Sequence, residues 1–148
     1  MYRRVINHCD RCAILFIIDC SLSMKEITRY GYTEMPKIDA AAFIVNFMIE
    51  ELLARATRYA NVRDYYDIGV IGYSGNEAFS LLDNSDYERV FMNTPRIADT
   101  MPQPRGVEIN VRDYDGTIHT ETFNTHFWAD PTASGASPLY DALVMTKG

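Results

Sequence analysis

Asp19-Cys20-Ser21-Leu22-Ser23 sets one carboxylate and two hydroxyls on alternate positions, directly behind the unbroken apolar run Ala13-Ile14-Leu15-Phe16-Ile17-Ile18. All three side chains are hard oxygen donors, the kind that Mg²⁺, Mn²⁺ or Ca²⁺ prefers. Because two of them are neutral, a cation held there stays short of negative charge and keeps affinity for a carboxylate offered from outside. Binding is the natural use of such a loop. A second polar loop, Asp130-Pro131-Thr132-Ala133-Ser134-Gly135-Ala136-Ser137-Pro138, brings another hydroxyl, Ser137, ahead of Leu139-Tyr140-Asp141-Ala142-Leu143-Val144-Met145, which reads as the opening of a helix.

Other chemistries find less support in the residues. An aspartate behind a buried strand is also how aspartyl-phosphate phosphotransferases present their nucleophile, but the acid/base aspartate two residues on is replaced here by Ser21. No Gly-x-Ser-x-Gly elbow occurs for a serine hydrolase. His8, Cys9 and Cys12 contain a Cys-x-x-Cys spacing, yet no second Cys/His pair follows to complete a zinc site. Cys20 has no neighbouring His or Lys to lower its pKa and reads as buried rather than reactive. The chain is therefore not expected to be an enzyme. Where Asp19, Ser21 and Ser23 carry no cation, their bland role is to cap the following segment by local hydrogen bonds.

The elements that must position these side chains can be read from periodicity. The run 13–18 is continuously apolar, as in a strand buried on both faces of a parallel sheet, and its carboxyl end is where open α/β sheets place ligands. After a loop of Tyr, Gly and Thr residues, Pro36 opens a helix whose apolar positions run from Ile38 through Val45, Met48, Ile49, Leu52 and Leu53 to Tyr59, with Phe43, Ile44 and Phe47 widening the core face. Asp67 to Ser74 reads as a second strand. Ala78 to Leu82 reads as a third, paired antiparallel because only a Gly-Asn turn intervenes. The stretch from Asn84 to Pro104 shows no period and is left irregular, with a helical turn near Tyr87 to Phe91. Val107, Ile109 and Val111, the turn Asp115-Gly116, then Ile118, Thr120 and Thr122 predict a β-hairpin insertion at about 105–125.

In that order, strand, Asp-x-Ser-x-Ser, helix, a strand ending in Tyr73-Ser74, and Gly135-x-Ser137-Pro138-Leu139-x-x-Ala142-Leu143, the chain resembles the bacterial von Willebrand factor A-type domains with their metal-ion-dependent adhesion site. The likeness covers roughly residues 12 to 148. It implies a Rossmann-like α/β fold with a mostly parallel central sheet, one antiparallel edge strand and flanking helices. It further implies a Mg²⁺, Mn²⁺ or Ca²⁺ ion held by Asp19, Ser21, Ser23 and Ser137, and a protein partner whose acidic side chain completes the coordination. Ser137 stands where threonine is usual, and keeps the hydroxyl. The family's further aspartate, carried after a later strand, has no counterpart before Gly148. The expectation is accordingly a domain truncated at its C-terminal side, with weak metal affinity and a tendency to self-associate through the sheet edge left open.

A length of 148 residues with 47% hydrophobic content fits one domain with a sizeable core. The net charge of −6 argues against nucleic acid and anionic membranes as partners. No apolar run is long enough for a membrane span. Three cysteines form no disulfide framework, so a reducing, cytoplasmic setting is expected. The alternative function class is a metal-independent scaffold that binds through the hairpin or a sheet edge.

Overall fold

A computed structural model describes residues 12–75, 77–82 and 90–134. Along the chain run β1 (Cys12–Asp19), a 3₁₀ turn (Leu22–Lys25), β2 (Ile27–Tyr30), β3 (Thr33–Pro36), α1 (Lys37–Ala56), β4 (Thr57–Arg58) and β5 (Asn61–Val62). Next come β6 (Tyr66–Ser74), β7 (Glu77–Ser80), β8 (Phe91–Asn93), α2 (Thr94–Asp99), β9 (Pro104–Arg112) and β10 (Ile118–His126). The helix α1 supplies the crossover that lets β1 and β6 lie parallel, in the register Ile14↔Ile68 through Asp19↔Tyr73. Ile18, Ile68 and Val70 pack beneath Ile38, Val45, Ile49 and Leu53 of α1, and Met92, Ile97 and Trp128 close the core.

The expected Rossmann-like, mostly parallel sheet with flanking helices is not what forms. One parallel pair exists among the described strands, and every other pairing is antiparallel. The far edge of β6 is shared by two short antiparallel strands: β7 pairs with residues 71–74 and β8 with residues 67–69. The rest of the strands form three separate two-stranded sheets, β2–β3, β4–β5 and β9–β10. The physical reason lies in the connections. A parallel return needs a crossover of a dozen or more residues. As expected from the Gly-Asn turn, Gly75, with φ of +60°, turns the chain straight back into β7, but β8 then takes the rest of that edge of β6 antiparallel, where a further parallel strand would have had to lie.

Several local expectations shift with it. The loop rich in Tyr, Gly and Thr is the hairpin β2–β3, turned at Gly31 with φ of +61°. The helix ends at Ala56, not Tyr59: Thr57 turns extended with its hydroxyl on Leu53 O, and Tyr59 and Ala60 take positive φ in the β4–β5 turn. Asn93-Thr94-Pro95, read as irregular, starts α2. The Asn93 side chain accepts from Arg96 N and the proline sits in the first turn. The apolar widening of α1 is only half a core face, since Phe43 is buried but Ile44, Phe47 and Met48 are 39%, 47% and 45% exposed. β1 pairs on one side with β6 and, among the described residues, with no other strand. Of its apolar run only Ile18 is buried, against the expectation of burial on both faces.

The segment behind β10 is fixed to α1 by one side chain. The fully buried Asn46 amide nitrogen donates to Ala42 O at 2.8 Å and to Ala129 O at 2.7 Å, while its oxygen accepts from Ala129 N at 3.0 Å. Trp128 adds an indole N–H donated to Ile97 O at 2.9 Å. Replacing Asn46 by leucine leaves the Ala129 N–H and C=O without partners in an apolar setting, at about 1–3 kcal/mol for each orphaned group. Asn46→Leu is therefore expected to lower stability by about 2–4 kcal/mol in urea unfolding. Unchanged stability would mean that the anchor carries no weight.

Candidate functional site

The candidate site is built where β1 and β6 end together. Cys20 N donates to Tyr73 O at 2.9 Å and prolongs the parallel pairing past Asp19, so the chain leaves the sheet at Ser21 with its direction fixed. There the Asp19 Oδ1 accepts from Ser21 N at 2.8 Å and the Ser21 and Ser23 hydroxyls lie 3.0 Å apart. Ser21 is 4% exposed. Met24 N and Glu26 N donate to Ser21 O and Ser23 O, winding the loop into the 3₁₀ turn and holding both serines on one side of it. Gly72 permits this closeness: a Cβ there would stand 2.7 Å from the Phe79 ring and 2.9 Å from the Cys20 sulfur.

A third segment arrives from the anchor at Asn46. Ser134 N donates to Cys20 O, and the Ser134 hydroxyl lies 3.3 Å from that of Ser74. The structure thus brings Asp19, Ser21 and Ser23 together, with Ser74 and Ser134 beside Cys20. Ser137 lies outside the described residues. Neither Ser74 nor Ser134 was expected as a donor. The signals were the Tyr73-Ser74 strand end and the place of Ser134 three residues before Ser137.

Burial raises the Cys20 thiol pKa and the charge of Asp19 raises it further; the Tyr73 phenol is raised by the same two causes in the same order. Both groups stay neutral beside Asp19. Among the described residues no group of three or more His, Cys, Asp or Glu side chains is placed to hold a metal, so any ion here depends on hydroxyls.

A second polar cluster sits on the β9–β10 ribbon. His119 Nε2 lies 2.9 Å from Glu121 Oε1, and Nδ1 lies 2.9 Å from Asp113 Oδ2, near enough for an ion pair although off the line of a hydrogen bond. Only the imidazolium serves both carboxylates. Arg112 at Gly116 and Asp115, bonded to Thr117 N, complete the charges of the tip.

No family model and no curated protein matches the chain. A solved structure described as an uncharacterized membrane spanning protein from Vibrio fischeri is similar over 93% of this chain and 96% of that one, at 13% identity and a TM-score of 0.36. Among the described residues no helix is long and apolar enough to cross a membrane.

The His119 pKa is raised, first by its hydrogen bond to Glu121 and then by Asp113. A raised folded value means that the clasp stabilises fully below the ordinary imidazole pKa and is lost as pH rises through the higher folded one. NMR titration should show the His119 midpoint above about 6.5, falling on Glu121→Gln. A midpoint at or below that value in the intact protein would remove the clasp.

Proposed function

We propose that the chain is a protein-binding module of the metal-ion-dependent adhesion type, in which Asp19, Ser21 and Ser23 hold a Mg²⁺, Mn²⁺ or Ca²⁺ ion for a partner's carboxylate. The proposal rests on the loop and involves no Rossmann-like sheet. One observation carries it: the Ser21 and Ser23 hydroxyl oxygens stand 3.0 Å apart. Two adjacent ligands of an octahedral ion with bonds of 2.0–2.1 Å are separated by about 3 Å, so the pair already has the spacing of neighbouring ligands. The donor set of one carboxylate and neutral hydroxyls fits a hard cation. Such an ion would supply a Lewis-acidic point with an open position.

In this reading Asp19 supplies the charge, and its bond from Ser21 N orients it. Ser21 and Ser23 bind directly. Ser137, the hydroxyl of the second loop in the sequence, completes the proposed ligand set. A phosphotransferase role lacks comparable support, because the position two residues beyond Asp19 is a serine hydroxyl engaged with Ser23, which is no acid or base at neutral pH. Self-association through the second edge of β1 is a further part of the proposal, since among the described residues no strand pairs with that edge and Leu15, Phe16 and Ile17 are half-buried.

With a single carboxylate in the described part of the site, binding is expected to be weak. Calorimetric titration of Mg²⁺ or Mn²⁺ should give heat with the intact protein and lose it in Asp19→Ala and Ser21→Ala; equal binding by all three would refute the assignment. Light scattering at micromolar concentration should show a mass above the monomer. A monodisperse monomer would dispose of the β1 contact.

A further inference from the structure

The hairpin β2–β3 and the ribbon β9–β10 touch at one point and then diverge. Asn110 N donates to Thr33 Oγ1 at 2.7 Å and the Asn110 amide to Tyr32 O at 3.1 Å. Beyond this contact lies a cleft of about 530 Å³ between β3 and β9, within the size range of ligand sites, with Ala42 and Phe43 of α1 on its floor. At the far end Arg105 is bound by both oxygens of Asp130, at 3.3 and 3.0 Å, and lies 4.2 Å over the Phe127 ring.

The strands that line the cleft each have one unused edge. The Asn110 N–H points away from β10, toward Thr33. Main-chain direction alternates along a regular strand, so the N–H and C=O of Glu108 and Gly106 also point away from β10. In the β2–β3 hairpin the pair Tyr30↔Thr33 closes a two-residue turn and exchanges main-chain bonds, so Glu34, one residue on, turns its N–H and C=O away from β2. Gly106, Glu108 and Glu34 all line the cleft. An extended segment entering it would meet open main chain on either side and lie antiparallel to one strand and parallel to the other.

Charge selects the occupant. Glu34, Asp39, Glu108 and Asp130 line the cleft against Arg105 alone, and Arg105 is taken up by Asp130. Glu34, Asp39 and Glu108 have no ion-pair partner among the described residues. Met35, Phe43 and Val107 add apolar surface between the carboxylates. The Arg105 guanidinium, held by a carboxylate and an aromatic face, already shows within the cleft the chemistry that receives a basic side chain.

We propose that this cleft binds an extended, lysine- or arginine-bearing segment of a partner protein by strand addition between β3 and β9, independently of any metal. The test uses the full chain in EDTA, so that loss of cation binding at Asp19 cannot influence it. The probe is a fluorescein-labelled heptapeptide of alternating valine and lysine, compared with a valine–glutamate heptapeptide and a valine–lysine heptapeptide N-methylated on alternate residues. The expected result is binding of the first peptide, at least ten-fold weaker binding of the other two, and a ten-fold loss in the double variant Asp39→Asn, Glu108→Gln. These exposed positions are chosen so that the fold survives, which the circular dichroism spectrum checks. Equal affinity for lysine and glutamate peptides would overturn the charge argument. Undiminished binding of the N-methylated peptide would overturn strand addition, and no binding of the first peptide would overturn both.

Discussion

The arrangement depends on the buried carboxamide of Asn46. Its two N–H groups and its oxygen are all used, inside a core where an unpaired polar atom costs far more than a made bond gains. Through Ala129 it fixes where the chain travels after β10, and five residues later Ser134 meets Cys20. With the Trp128 N–H on Ile97 O and the Arg105–Asp130 pair, that constraint defines the approach of 130–134 to the end of β1. Thus a polar residue on the buried side of α1 helps to bring Ser134 beside Cys20 and Ser74.

From there the structure divides into a positioned part and a displayed part. The parallel pair β1–β6, covered by α1, fixes the loop 19–23 through main-chain bonds at Cys20, Met24 and Glu26. The hairpin β2–β3 and the ribbon β9–β10 are peripheral. They are nevertheless tied in: Asn110 to Tyr32 and Thr33, His126 to Glu50 through both its main-chain N and its ring, and Ile109 and Thr125 buried at the base. Read as an insertion, the ribbon would stand clear of the body. Its tip does so, with Tyr114 fully exposed, but its base is packed.

The sequence made the local elements legible and the sheet illegible. The continuous apolar run at 13–18, the β-branched stretch at 68–71, helical spacing from Ile38 and strict alternation about Asp115-Gly116 each mark an element. Pairing is a different matter. It is decided by whether a connection is long enough to cross over: the short turn at Gly75 made the antiparallel β6–β7 pair readable, whereas the β2–β3 hairpin at Gly31 and the antiparallel pairing of β8 on the same edge of β6 were not. The hydroxyl loop was readable because Asp19, Ser21 and Ser23 are adjacent in sequence. Ser74, Ser134 and the cleft carboxylates were not, since Glu34, Asp39 and Glu108 meet only after two hairpins fold against one helix.

If Asp19, Ser21 and Ser23 form the proposed cation site, a hard cation is held where β1 and β6 end, rather than anywhere on an acidic surface. Paramagnetic Mn²⁺, added in small amount to the isotopically labelled full chain, broadens amide NMR signals according to their distance from the ion. The Cys20–Ser23, Ser74 and Ser134 signals are expected to be lost first, with those of 113–117 at the ribbon tip intact. Broadening centred instead on Glu34, Asp39 and Glu108, with the loop 19–23 unaffected, would contradict it.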